Sequence, residues 1–246
     1  MAGIFGFFDY TKPGKGVEKD EPPKPRFLLF WELFFRKFWK LVQLNLLYIA
    51  FCLPVVTIGP ATAGFTFVLR NLANEKPVFL FSDFWDAFKS NLKQSFAFSV
   101  ILAVFSILIS VALQFYSANL TAHQWMVVPI GLSAMVALIF VFSCFYVFLM
   151  IVTLELPLFA ILKNAAILAI CCLKTNLLTL LFTGLLVLAN LLFIPYSAIA
   201  ILLLTPAWIG FIICFNSYKG IHKYVIEPFL NRQDTENGAL EISDET

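Results

Sequence analysis

The body of this sequence has almost no acidic charge. Between Ala87 and Ile226 it holds a single carboxylate, Glu155. That excludes a nuclease, a paired-carboxylate glycosidase or an acid-rich cation site there, because each needs several carboxylates side by side. Histidine is also scarce. The two that occur, His123 and His222, stand far apart, so no metal-ligand spacing exists. The five cysteines (Cys52, Cys144, Cys171, Cys172 and Cys214) lie in apolar stretches and form no Cys-x-x-Cys. They read as small, reduced, buried hydrophobes. No Gly-x-x-x-x-Gly-Lys-Ser/Thr string occurs, which excludes ATP hydrolysis through a P-loop. Charged residues make up only 13% of the 246, about half the share usual in a soluble domain.

Apolar residues take their place. They account for 61% of the chain, phenylalanine alone occurs 29 times, and the mean hydropathy is +0.88. This composition predicts an all-α polytopic membrane bundle, not a soluble domain. Counting apolar runs against the ~20 residues needed to cross a bilayer predicts about six transmembrane helices, at 41–58, 61–75, 94–116, 125–155, 176–194 and 197–218. Gly59-Pro60 divides the first two, which suggests a tight helical hairpin. Residues 1–26, rich in proline and lysine, read as a cytoplasmic N-terminal arm. Residues 231–246 carry carboxylates but, beyond Arg232, no Lys or Arg, and read as an acidic cytoplasmic tail.

Orientation follows from the cations. All seventeen Lys and Arg fall in the N-terminal 40 residues, between Arg70 and Lys93, at Lys163 and Lys174, or from Lys219 onward. With six crossings they all share one face. The positive-inside rule makes that face the cytoplasm and places both termini there. The stretch 157–173 is apolar enough to cross, but a seventh crossing would carry the last basic residues outside. It is therefore assigned to the cytoplasmic side. Residues 81–93 form a second cytoplasmic-side helix. Phe81, Phe84, Trp85, Phe88 and Leu92 make one apolar stripe at helical spacing, with Ser82 as its expected N-cap. Residues 27–40 read as an interfacial helix running into the first span.

Three groups of residues are candidates for function. Thr57, Gly59, Pro60 and Thr62 mark a backbone break that lines a substrate path in some transporters; the alternative is a compact, closely packed turn. Glu155 and Asn45 are polar groups at or in the membrane. They are candidates for an ion or proton relay, or for a boundary carboxylate and an interhelical hydrogen bond. Phe81, Phe84, Trp85, Phe88, Lys89, Lys163 and Asn164 lie on the two cytoplasmic-side helices. They are candidates for docking a partner protein, or for anchoring at the membrane surface.

The stretch Phe38 to Phe96 is similar to a known family. It contains Phe38-Trp-Lys-Leu-Val-Gln-Leu-Asn-Leu-Leu-Tyr48, Leu53-Pro-Val-Val-Thr-Ile-Gly-Pro-Ala-Thr-Ala63, Val68-Leu-Arg70, Phe81-Ser-Asp-Phe84 and Asp86-Ala-Phe-Lys-Ser-Asn91. These strings resemble the YesL-like family of bacterial integral membrane proteins, a domain family of unknown function. Phe8-Asp-Tyr10, Lys12-Pro-Gly-Lys-Gly16 and the segment from Pro157 to Ala165 extend the likeness. Members of that family are found beside genes for carbohydrate-uptake ABC transporters, polysaccharide-degrading enzymes and sensor kinases. The resemblance therefore implies a bacterial plasma-membrane protein with a role in glycan import or sensing. It offers no catalytic or binding residues to carry over.

The expectation is a non-enzymatic accessory subunit that needs no cofactor. Its partners would be the lipid bilayer and an ABC permease or sensor kinase, with carbohydrate as a possible ligand and no nucleic acid. The alternative is a small transporter or channel with a path near Gly59-Pro60.

Overall fold

A computed structural model describes residues 25–121 and 123–231. Apart from Pro25, Arg26 and Asn231, the expected arm and acidic tail lie outside the described residues. By contact the chain divides after Arg36. The described part of the first unit is one helix, α1 (Arg26–Arg36). Its rings stack at the i, i+4 spacing of a helix face, Phe30 on Phe34 at 6.2 Å and Trp31 on Phe35 at 5.6 Å between centroids.

The second unit contains α2 (Phe38–Cys52), α3 (Ile58–Ala73), α4 (Leu80–Ser90), α5 (Leu92–Ala118), α6 (Val127–Ile151), α7 (Leu158–Cys171), α8 (Leu173–Leu192), α9 (Ala198–Leu203) and α10 (Thr205–Ile221). A wider helical turn, His222–Ile226, follows α10. Among the described residues three segments are long and apolar enough to cross a membrane: Leu92–Ala118, Gln124–Ile151 and Leu173–Leu192. At 1.5 Å per residue the 27-residue α5 is about 40 Å long. Helices α2, α3 and α10, with 15, 16 and 17 residues, fall short of a full crossing as single rods.

Two breaks differ from the sequence expectation. The first apolar stretch ends at Cys52, and the chain turns at Leu53-Pro54, not at Gly59-Pro60. Thr57 closes this turn: its hydroxyl donates to the carbonyls of Phe51 and Pro54, both at 2.6 Å. Gly59 and Pro60 lie in the first turn of α3. Backbone N–H groups in a first turn have no helical acceptor, so proline removes nothing there. The second difference is in 197–218, which is interrupted at Leu204, where φ is −146° and ψ −33°. Pro206 has no N–H to give the Leu202 carbonyl, and the helix cannot run through.

α3 is the centre of the unit. Gly59, Pro60, Ala61, Ala63, Gly64, Val68 and Leu69 are all buried, and α2, α4, α5, α6 and α10 pack around the helix. Tyr48 of α2 stacks on Phe65 at 4.3 Å. Small residues set the approach of two neighbours. A Cβ on Gly64 would lie 2.6 Å from the Phe84 carbonyl oxygen of α4. One on Gly59 would collide with the Ser99 hydroxyl and lie 2.5 Å from the Ser95 carbonyl oxygen of α5. Neither glycine has positive φ, so their role is close packing between helices. Gly59→Ala and Gly64→Ala should each lower stability by about 1–3 kcal/mol, the cost of overpacking a filled core. Gly131→Ala and Gly184→Ala should cost nothing, since a Cβ at either would meet nothing within 4 Å. Thermal unfolding in detergent distinguishes the two pairs.

Polar residues join the remaining helices. On α8, Asn176, Thr179 and Thr183 are buried along one face. Thr179 accepts a hydrogen bond from the Asn216 amide of α10 at 3.0 Å. Farther along α8, Asn190 accepts one from the Thr205 hydroxyl at 3.3 Å. The buried Tyr146 hydroxyl of α6 donates to Asn176 Oδ1 at 2.5 Å, and the Asn176 amide donates to the Ala169 carbonyl at 3.0 Å. That bond occupies a carbonyl left over where α7 ends. At the same junction, burial pushes the Cys172 thiol up from its ordinary value. Its hydrogen bond with Tyr146 opposes this, the neighbouring Cys171 adds to it, and the Lys223 ammonium opposes it.

Candidate functional site

Five charged side chains from two separate stretches of the chain meet in one place. An open groove of about 1090 Å³ lies where the α4–α5 junction faces the α6–α7 connection. Asp83, Asp86, Lys89, Lys93 and Glu155 line it, with Phe67 among the apolar groups.

Local chemistry positions each wall. α4 begins at Leu80 with Phe79 as its N-cap, three residues before the expected Ser82. The Asp83 carboxylate accepts from the Phe79 N–H at 3.0 Å, occupying a donor that the helix start leaves free and sitting well in the helix dipole. The Ser82 hydroxyl donates to Asp86 at 3.4 Å. The Lys89 ammonium lies over the Trp85 ring, 4.6 Å from its centroid. Asn91 separates α4 from α5, and its amide donates back to the Ala87 carbonyl at 2.9 Å. The opposite wall is the non-helical connection 152–157, which turns at Val152 and Thr153 and then runs on without regular structure to Pro157. It is tied down twice. Gln94 of α5 donates to the Leu156 carbonyl at 2.9 Å. Arg70 of α3 donates to the Val152 carbonyl at 2.7 Å and to the Thr153 hydroxyl at 3.0 Å. Arg70 also stacks over Phe67, 4.6 Å from the ring centroid. A guanidinium thus caps the C-terminus of α6, where leftover carbonyls favour a cation.

The sequence candidates are distributed unevenly around this groove. Glu155 is in it, exposed, beyond the end of α6. Lys89 is in it too. Phe84 and Phe88 face away from it and are buried, with ring centroids 5.1 and 5.5 Å from Phe51 of α2. They hold α4 to the bundle and offer no surface to a partner. Trp85 is half-buried and stacks on Phe88 at 5.3 Å. Phe81 is exposed, as is the neighbouring Phe79. Lys163 is exposed and Asn164 half-buried on α7; neither lines the groove.

Asn45 is wholly buried and lies elsewhere. Its amide donates to the Leu202 carbonyl at 2.8 Å, and its Oδ1 accepts from the Ala207 N–H at 2.9 Å. These are the backbone groups that the break at Leu204 leaves without helical partners. Asn45 is therefore an interhelical clamp, and both ends of its amide are occupied. Thr62 donates to its own helix at Ile58, 2.7 Å away, and contacts the Tyr48 hydroxyl at 3.1 Å. Sequence reasoning passed over Arg70, Lys93 and Gln94 as site residues. The signal for the α4 wall was the charged face opposite the aromatic stripe. Arg70 gave none, since a lone cation at a helix end is ordinary.

Among the described residues the protein is helical, with three helices long and apolar enough to cross a membrane. Residues 41–113 match a family described as "Protein of unknown function, DUF624". That stretch begins within α2 and ends within α5, so it contains the α3 core and the α4 wall. No curated protein matches the chain, and no solved structure does.

Proposed function

We propose that this chain is a YesL-like, non-enzymatic accessory subunit of the bacterial plasma membrane. In this reading it crosses six times, with both termini and α4 and α7 on the cytoplasmic side. It joins a carbohydrate ABC permease or its sensor kinase, and the partner handles any sugar. The observation that carries the reading is the construction of α4 and α7. Each is a short helix joined to a membrane-length helix and packed by one face; Phe81, Asp86 and Lys89 are exposed on α4, with Phe79 at its N-cap, and Phe159 and Lys163 are exposed on α7. Helices so placed can grip a partner at the membrane surface, a comparison resting on architecture alone.

A path of the chain's own near Gly59-Pro60 finds less support. α5 approaches Gly59 too closely to admit even a methyl group, and Thr57 and Thr62 donate to nearby carbonyls.

Affinity purification of the full chain from its native membranes, with mass spectrometry of what accompanies it, tests the proposal. A permease or sensor kinase should co-purify, and Phe81→Ala with Lys163→Glu should release it without lowering the melting temperature. Solute flux through liposomes containing this chain alone would favour the transporter instead.

A further inference from the structure

The groove beside α4 shares Lys89 with the docking face, but docking leaves its carboxylates unused. Carboxylates and ammoniums line the same space, yet among the described residues no ion pair joins them. Lys93 and Glu155 are exposed with no described partner, Lys89 makes only its ring contact, and Asp86 holds only a serine hydroxyl. Opposite charges that face one groove without meeting leave room for a ligand carrying both signs.

Depth narrows the choice. The groove lies where α5 begins, at Leu92, and where α6 ends, at Ile151. These are two of the three membrane-length helices, so their ends mark the level where hydrocarbon gives way to lipid headgroups. An apolar track starts in the groove and runs along α5. Leu92, Phe96 and Val100, at i, i+4 and i+8, are 45%, 41% and 48% exposed. A charged mouth continuous with an apolar stripe fits an amphiphile better than a peptide.

We propose that this groove binds an ethanolamine-headed phospholipid. Its phosphate faces Lys89 and Lys93, with Arg70 adding positive charge from behind the floor. Its ammonium donates to Glu155 and Asp86, and its acyl chains lie along Leu92, Phe96 and Val100. The same carboxylates repel a purely anionic headgroup, and a choline headgroup has no N–H to give them.

The test uses the full chain purified in mild detergent. It is titrated with phosphatidylethanolamine, phosphatidylcholine or phosphatidylglycerol and read by native mass spectrometry, alongside melting temperature. The ethanolamine lipid should be retained about tenfold over the other two, the scale of one charge-assisted contact. Lys89→Gln with Lys93→Gln should lose that retention. Glu155→Gln should keep phospholipid binding but lose the preference for ethanolamine over choline. Free phosphoethanolamine, lacking acyl chains, should not compete. Lys174→Gln, exposed and outside the groove, is the control. Equal retention of the three lipids, or retention unchanged in the groove variants, overturns the proposal. So does occupation of the groove by a protein segment with no lipid bound. The experiment needs no partner, so its failure leaves the accessory-subunit reading untouched, and its success does not establish that reading.

Discussion

Asn45→Leu should destabilise the chain by about 2–5 kcal/mol, because it strands two buried backbone groups at about 1–3 kcal/mol each. Those groups are the Leu202 carbonyl and the Ala207 N–H, on either side of the break at Leu204. The side chain itself is 0% exposed; leucine keeps its branched outline but is bulkier, so the effect combines lost hydrogen bonds with some overpacking and involves no cavity. Asn45→Asp keeps the acceptor for Ala207 but has no N–H for Leu202, and should also be strongly destabilised. Hydrogen exchange gives a second measure: amides from Ala198 to Trp208 should lose protection first. An Asn45→Leu protein with wild-type melting temperature and exchange would mean that α9 and α10 hold together without the clamp.

Arg70→Met should cost about 2–4 kcal/mol, since hydrogen bonds to a charged group contribute about 1.5–3 kcal/mol each and do not simply add. Methionine preserves some packing on Phe67 but leaves the Val152 carbonyl without its capping donor. Arg70→Lys should rescue only in part. An ammonium can satisfy one acceptor, but it lacks the planar fork that spans Val152, Thr153 and the Asn71 side chain. The change should also free the α6–α7 connection and raise proteolysis near Leu154 and Glu155. If Arg70→Lys matches the wild type in both stability and proteolysis, the guanidinium geometry plays no part.

The sequence makes the membrane-length rods readable because their signal is strong and local. The apolar runs at 94–116, 125–155 and 176–194 correspond to α5, α6 and α8 with shifts of a few residues. The stretch 157–173 corresponds to α7. The breaks were less legible for a physical reason. Pro54 and Pro60 are both compatible with a turn, and only tertiary packing decides which one interrupts the helix. α3 needs its first turn buried against α5, so Gly59 and Pro60 stay helical and Pro54 turns. Leu204 carries no local signal beyond the nearby Pro206; the residue that stabilises that break, Asn45, is remote in sequence. The aromatic stripe on α4 was clear as a helix face. Periodicity could not say what would cover it, and Phe51 of the same chain does. The groove was illegible because it joins distant segments: Gln94 reaches Leu156, and Arg70 reaches Val152.

The central claim is that every lysine and arginine faces one aqueous compartment. Single cysteines on a cysteine-free background test it most directly. An impermeant maleimide applied to intact cells should label Thr121→Cys and Tyr196→Cys. It should reach Lys93→Cys, Lys163→Cys and Lys223→Cys only after the membrane is opened. Labelling of the Lys163 or Lys223 position from outside would contradict the six-crossing topology, and with it the placement of α4 and α7 on the inner surface.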